Sequence, residues 1–519
     1  MSNNQKGCFI LSKNFISEPT KRITRRLLQV VTFLVLSFSH AQSYADVSES
    51  TVKALIERLE MLEARLAEYE SVAAGSDRKT AAVAVSGVSD KSPISTKTAP
   101  QWVGIESGYA FEMLDHAESV TNKQEVLIDH INAGSFGSRL TLGGQVTALA
   151  NYQTSNRDSK FGWLMRHPTS NNQIGETVSE AVVHSANLNL TASLGENWHA
   201  YVEMFYNPEQ NFGANSTITG LPRNNVNVRR AYVLYNGTQK NNIYASIGKM
   251  DIPFGLNDTV SPFTNSASWH AFAGLAYGAT VGYLDGNWHA RIMAIQGGAQ
   301  FRNANAPVEG TSVPSKLNNF AVDIRRSFQL NNEGDLMLGL SYQHGSSYCQ
   351  EWPIKHFEPC EDTNPAISLY STLQVGDTEI IVDYGKTLDV WPGTLNPALP
   401  EFAAEEVAGL TVGVRQEFDF GYTNPVALSF EFSRFEAGPS GAEWERVSQF
   451  VLGASYYMNA SINVFGELNR TEGWAPLNFL TGGNCSGPNP LCDQVGPAGV
   501  WAEKDATTNV LVFGVQAAF

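Results

Sequence analysis

From residue 139 onward the chain alternates apolar and polar positions with a period of two. Leu140, Leu142, Val146, Ala148, Ala150 and Tyr152 share one parity, and Thr141, Gly143, Gln145 and Thr147 share the other. Successive side chains of a strand point to opposite faces, so a run of this kind reads as a strand with one apolar face. The pattern returns at 186–192, 198–206, 277–283, 288–294, 320–324, 336–342, 380–384, 410–420, 426–432, 450–458 and 462–468. It ends on Leu511, Phe513, Val515, Ala517 and Phe519, and it is weaker at 228–236, 243–249 and 366–374. Sixteen strands are predicted. The gaps between them alternate long and short, with tight-turn residues at Asp285-Gly286-Asn287 and Gly376-Asp377. Long loops at one end and short turns at the other are the arrangement of an outer-membrane barrel. A soluble sandwich has no reason to sort its loops by length. The predicted fold is therefore an all-β transmembrane protein, a sixteen-stranded antiparallel outer-membrane β-barrel.

Parity also assigns the faces. The polar parity carries Glu203, His289, Arg291, Asp323, Arg325, Glu379, Asp383, Arg415, Glu417, Asp419, Glu431 and Glu467. A Lys or Arg facing lipid at mid-membrane costs ~2–4 kcal/mol, so this face belongs to a watery lumen. Sixteen strands leave room for an aqueous channel. Acidic residues outnumber arginines in that set, so the expected pore prefers cations and is not a dedicated phosphate pore. The expected solute is small and hydrophilic.

The region before the barrel has its own order. Lys21, Arg22, Arg25 and Arg26 precede a short apolar run, and Ser43-Tyr44-Ala45 or Ser39-His40-Ala41 supplies the small residues of a cleavage site. Residues 1–45 thus read as an export signal, too short in its apolar part to span a bilayer. They hold six Lys/Arg and one Glu, so the remainder is more acidic than the formal −16 of the whole chain. That charge argues against a nucleic-acid partner. In 46–71, Val52, Leu55, Leu59, Leu62, Leu66 and Tyr69 form an a/d seam, with Arg58 and Arg65 at g and Glu63 and Glu70 at e. The seam predicts a short parallel coiled-coil helix in the periplasm and a homo-oligomer, with a trimer suggested by the barrel class. Residues 72–101 read as a flexible linker, 102–135 as a pre-barrel segment and candidate plug, and 136–519 as the barrel. Cys349/Cys360 and Cys485/Cys492 each fall within one predicted external loop. Pairing within loops is the simplest connectivity in an oxidising compartment, and the spacing does not suit a zinc site.

Two stretches carry a more specific likeness. Trp102-Val103-Gly104-Ile105-Glu106-Ser107-Gly108-Tyr109, running on to Leu127, resembles the segment before the barrel in LbtU-type siderophore porins. Ile247 to Gly255, with Lys249, Pro253, Phe254 and Gly255, resembles the strand-end motif of that group, and Pro-Phe motifs of this kind also occur in phosphate-type porins. The order of signal, coiled coil, pre-barrel segment and barrel matches as well. The resemblance implies an outer-membrane porin of a Gram-negative bacterium, with siderophore transport as its finer expectation. By analogy with porins, the loop after Lys249 is expected to fold into the pore as a constriction. Phe519 at the end of a complete strand pattern resembles the signature read by the outer-membrane assembly machinery.

No Ser-His-Asp or metal-ligand spacing stands out, so no catalytic residue, metal or cofactor is expected, and an outer-membrane enzyme or a structural tether is the alternative. A TonB-dependent receptor would need 22 strands and a large plug domain, and no such domain precedes residue 139.

Overall fold

A computed structural model of the chain describes residues 101–156, 177–206, 226–296, 300–301, 316–330, 334–349, 363–394, 401–442, 445–473 and 506–519. The expected signal, the coiled-coil seam and the linker up to residue 100 lie outside these residues, as do Cys360, Cys485 and Cys492.

Eighteen strands form one sheet. In chain order they are β1 (Gln101–Ile105), β2 (Ser138–Ser155), β3 (Thr177–Ser193), β4 (Trp198–Tyr206), β5 (Val226–Gly237) and β6 (Ile243–Asp251). Then come β7 (Gly274–Leu284), β8 (Trp288–Gln296), β9 (Gln300–Phe301), β10 (Leu317–Leu330), β11 (Gly334–Gln343) and β12 (Ala366–Val375). The last six are β13 (Thr378–Thr387), β14 (Ala408–Phe418), β15 (Val426–Glu436), β16 (Arg446–Asn459), β17 (Ile462–Gly473) and β18 (Ala506–Ala518). Sixteen of them, β2–β8 and β10–β18, pair antiparallel with both neighbours, and the β18–β2 and β8–β10 pairs close the ring. Closure leaves no open edge, the condition for crossing a membrane with strands. The strand number and the sorting of loops by length agree with the sequence pattern. β1 runs parallel to the first residues of β2, below the point where β18 stops.

The outer surface is apolar. Leu188, Ile247, Leu340, Leu369, Leu452 and Leu468 are exposed on it. Trp198, Tyr283, Trp288, Phe418, Phe420 and Tyr422 ring the short-turn end, and Tyr152, Tyr277, Phe320 and Tyr384 ring the long-loop end. Two aromatic girdles with aliphatic residues between them are what lipid requires. The inward parity is polar and largely buried, as at Glu203, Asp323 and Glu431, each 0% exposed.

Among the described residues the register shifts at four places, and two of these bulges place charged or titratable side chains inside. Between β4 and β5 the register moves from Glu203↔Arg230 to Met204↔Val228, which leaves Arg229 as the extra residue. Arg229 and Arg230 are therefore both buried although adjacent. Between β2 and β3 the register moves at Thr147/Ala148, and His184 is the extra residue. At the seam, Phe519 and Gly144 exchange backbone hydrogen bonds of 2.9 Å in both directions. A Cβ on Gly144 would lie 2.3 Å from Phe519 Cζ, so only glycine lets the ring rest there.

The lumen is not empty. After β1 the chain forms α1 (Ser107–Leu114), a turn at Val120–Asn122 and α2 (Lys123–Asn132) before entering β2. Both ends of this excursion sit at the short-turn end. Ser107 Oγ lies 3.1 Å from Ser461 Oγ in the β16–β17 turn. Asn132 donates to Thr238 Oγ1 (3.0 Å) and accepts from Asn236 (3.0 Å), where the single-turn helix α3 (Thr238–Asn241) links β5 to β6. Tyr109, Met113, Leu127 and Ile128 of the excursion share an apolar cluster with inward Tyr201, Tyr232 and Tyr244 of the wall.

Candidate functional site

Among the described residues, the wall, the 106–133 excursion and the long segment between β6 and β7 build most of the interior, and Tyr348 and Trp391 of other long loops pack against them. That segment begins where β6 runs out. Ile252 still donates to Gly274 O (2.9 Å), but Pro253 has no N–H to continue the ladder. Gly255 then takes φ +68°, a left-handed conformation open to glycine, and its N–H donates to Ser341 Oγ at 3.0 Å. From there the segment crosses the lumen. Asn257 N–H donates to Asp383 (2.9 Å), Thr259 Oγ1 and Val260 N–H to Glu431 (2.5 and 3.2 Å). Phe263 N–H, Thr264 N–H and Thr264 Oγ1 donate to Glu467 (2.8, 3.0 and 2.5 Å). The anchoring side chains stand on β11, β13, β15 and β17, every second strand of the wall. The segment closes with α4 (Ala267–Phe272), capped by Ser266, and with Ala267 N–H on Ser433 Oγ (3.0 Å). Lys249 lies on β6 itself rather than in the loop, and donates to Val228 O (3.1 Å).

The 106–133 excursion lies against this segment and against the wall. His116 Nε2 pairs with Phe263 O (2.9 Å), and Asn265 donates to His116 O (2.9 Å). Val120 N–H donates to Asp258 (2.9 Å), and Thr121 Oγ1 to Gly255 O (3.2 Å). On the wall side, Arg291 donates to Thr121 O (2.6 Å), Arg325 pairs with Glu125, and Arg415 pairs with Glu118. Burial raises the Asp258 carboxyl to about 8. Burial, then the charge of Glu118, raises Asp115 to about 6. Burial lowers the Lys123 ammonium to about 8, where its Nζ donates to the carbonyls of Glu112 (2.5 Å) and Glu118 (2.9 Å).

Eleven of the twelve expected lumen residues stand on the inward face of a strand. Asp419 does not: β14 ends at Phe418, and Asp419 caps the following turn by accepting from Gly421 N–H (2.7 Å). The expectation that the acidic majority lines open water is corrected by the partners found. Asp383, Glu431 and Glu467 are buried and hold the β6–β7 segment by its backbone and threonines. Asp323 is buried between Arg291 (2.9 Å), Ser341 (2.7 Å) and Tyr370 (2.5 Å). Glu203 is buried against Arg230 (2.7 Å), which also clasps Asp251 through two bonds of 2.6 and 2.7 Å. His289 bonds Tyr244 (2.8 Å), and Glu379 pairs with Arg415 (2.8 Å). Of the expected carboxylates, Glu417 remains exposed on the wall.

Sequence reasoning missed Arg229, Arg230, Asp258, Lys123 and the inward tyrosines. The adjacent arginines at 229–230 were a visible break in alternation, and such a break is the mark of a bulge.

No protein-family model and no curated protein matches the chain. Among solved structures, it is similar to the outer membrane channel DcaP of Acinetobacter baumannii, at 14% identity over 73% of this chain and 97% of that one, with a TM-score of 0.44. It is also similar to OprB of Pseudomonas putida in its high-pH structure (9% identity, 78% and 99% coverage, TM-score 0.47). OmpF of Salmonella typhi in complex with daunomycin gives 12% identity, 73% and 97% coverage and a TM-score of 0.42. At these scores the fold assignment rests on the strand pairing of the chain itself: a closed, sixteen-stranded antiparallel β-barrel.

Proposed function

We propose that the chain is an outer-membrane porin of a Gram-negative bacterium, a channel for passive or facilitated diffusion of small hydrophilic solutes. One observation carries the reading: a sixteen-stranded barrel, apolar outside and polar inside, is crossed by a loop anchored on its far wall. Such a loop narrows a lumen to a constriction, and Pro253, Phe254 and Gly255 start it across. The 106–133 excursion is a second obstruction, and it acts as a plug that limits flow. The likeness of the pre-barrel and strand-end stretches to LbtU-type porins supports a siderophore as solute. The seam at 52–69 supports a periplasmic coiled coil and a homo-oligomer. Cys349 is disulfide-bonded, which supports the pair Cys349–Cys360 and, by the same logic, Cys485–Cys492.

The test is conductance in planar bilayers, for the full chain and for a chain lacking 106–133. The full chain should conduct weakly, and the deletion should conduct several times better. A correctly folded barrel that conducts in neither form would end the porin reading.

A further inference from the structure

Among the described residues, the wall, the plug and the β6–β7 segment leave a space unfilled. It is a cavity of about 250 Å³ at the short-turn end, between the plug bend, Val260 and Pro262 of the crossing segment, and the inner faces of β14–β17. Its charged lining is Asp115 and Glu118 from the plug, and Arg415 and Glu417 from β14. Arg415 is already matched by Glu118 and Glu379. Asp115 and Glu417 have no ion-pair partner among the described residues. Lys123 attracts Asp115 and Arg415 attracts Glu417 without a direct ion pair, yet three carboxylates face one guanidinium in the lining, so the cavity presents net negative charge.

A second observation concerns hydrogen bonding. Asn463 and Ser429 line the cavity, 3% and 5% exposed. Asn463 Oδ1 and Ser429 Oγ have no hydrogen-bond partner. A buried acceptor left unpaired costs ~1–3 kcal/mol, so such atoms mark a place where a donor belongs. Asn463 Nδ2 donates to Gln516 Oε1 (2.9 Å), so the amide is held by its donor while its acceptor oxygen stays unpaired. The third feature is an aromatic face. Tyr457 lines the same cavity, and Phe111 of the plug packs edge-on against it, with centroids 5.6 Å apart at 80°.

We propose that this cavity binds a small organic ammonium ion, a primary amine or diamine, as it passes the plug. Carboxylates attract the charge, unpaired oxygens take the N–H donors, and the Tyr457 face adds a cation–π contact. An anion would meet three carboxylates and one already paired guanidinium. A neutral polyol would lack the charge that the lining leaves unmatched. The inference refines the porin reading by naming a solute class, yet the site requires only the folded barrel and plug.

The experiment is calorimetric titration of the detergent-solubilised full chain with 1,4-diaminobutane, with glucose and acetate as comparison probes. Diaminobutane should bind, with affinity falling at high salt as the charges are screened. Glucose and acetate should not bind. Glu417→Gln, at an exposed rim position, should weaken diaminobutane binding roughly tenfold, the effect of losing one charged contact. Ser429→Ala should weaken it less. Absence of diaminobutane binding, equal binding of glucose, or unchanged affinity in Glu417→Gln overturns the proposal. Amine binding without conductance would sink the porin reading alone, and conductance without amine binding would sink the site alone.

Discussion

Removing the Glu467 carboxylate should free the tip of the β6–β7 segment from the far wall. This one side chain receives Phe263 N–H, Thr264 N–H and Thr264 Oγ1, at 2.8, 3.0 and 2.5 Å. A hydrogen bond to a charged group contributes about 1.5–3 kcal/mol net, and an orphaned buried donor costs about 1–3 kcal/mol. These terms overlap, because all three donors lie on two adjacent residues and leave the wall together. Glu467→Ala should therefore weaken docking of the tip by about 4 kcal/mol, the scale of breaking a buried charged contact. The ring of Phe263 stacks on Phe465 at 5.4 Å and 12°, and this contact survives. Glu467→Gln should cost only ~1 kcal/mol, since its carbonyl keeps both N–H bonds and its amide can face the threonine hydroxyl, which also accepts. Strand pairing is untouched in both variants, so the barrel should still fold. Hydrogen exchange of peptides spanning 256–270 is the assay. A loss of about 4 kcal/mol corresponds to roughly a thousandfold loss of protection at the two amides. Single-channel conductance should rise or become noisy in Glu467→Ala and stay near wild type in Glu467→Gln. Unchanged protection and conductance in the alanine variant would show that Asp383 and Glu431 hold the segment without it.

Docking of the plug should weaken as pH rises from 5 to 8. The Asp258 carboxyl is raised from 3.8 to about 8, so the docked state retains a proton that the undocked state has released, and this stabilisation is complete below pH 4 and lost through pH 8. Lys123, lowered to about 8, works in the opposite sense above that pH, and Asp115, raised to about 6, adds in the same sense below pH 6, so the window that reads Asp258 is pH 6–8. Conductance should climb over this window, and Asp258→Asn should flatten the slope; the same slope in that variant would refute the assignment. Gly144→Ala should destabilise the β18–β2 seam by a few kcal/mol, because its Cβ meets the Phe519 ring, and a thermal scan showing no change would contradict the packing. Asp at both Leu59 and Leu62 would bury charge in the seam, and native gels should then show a weaker oligomer; an unchanged one would mean that barrel walls suffice. Non-reducing peptide mapping should recover Cys349–Cys360 and Cys485–Cys492, and free thiols or links between the two loops would sink that pairing.

The barrel was legible because lipid enforces a period of two on every strand, and β4 or β8 can be read residue by residue. Where a bulge adds a residue, parity fails. β5 looked indistinct in the sequence because Arg229 and Arg230 both turn inward, and His184 on β3 escaped notice for the same reason. The lumen face of Glu203, Asp323 or Glu467 followed from the cost of charge in lipid, but its use did not. Alternation says which way a carboxylate points and nothing about what comes to meet it. The donors to Glu467 lie some 200 positions away, in a loop with no periodicity. The inward tyrosines mislead for a related reason: an aromatic on the polar parity makes sense only once α1 and α2 are placed against Tyr201, Tyr232 and Tyr244. Asp419 was misplaced because an apolar run continued past the end of β14 into Phe420 and Tyr422, which belong to the girdle.

The excursion of 106–133 enters and leaves through the same mouth. Ser107 meets the β16–β17 turn, and Asn132 meets the β5–β6 turn, so the chain never threads through to the loop end. A hairpin of this kind can slide into a cylinder that is already complete and can slide out again without unthreading anything. Assembly is thereby divided in time. The wall can zip shut in the bilayer first, with only its own β6–β7 segment across the bore, and the insert can follow from the aqueous side as a separate step. The strand pairing that makes the wall permanent contributes nothing to holding the insert, apart from β1, the short parallel ribbon beside the start of β2. Any tension drawn through the chain before residue 101 would reach that ribbon first. It would load that ribbon before it disturbed α1, and withdrawal of the insert would then have to break the contacts of Arg291, Arg325 and Arg415 with it while the cylinder around it stays whole.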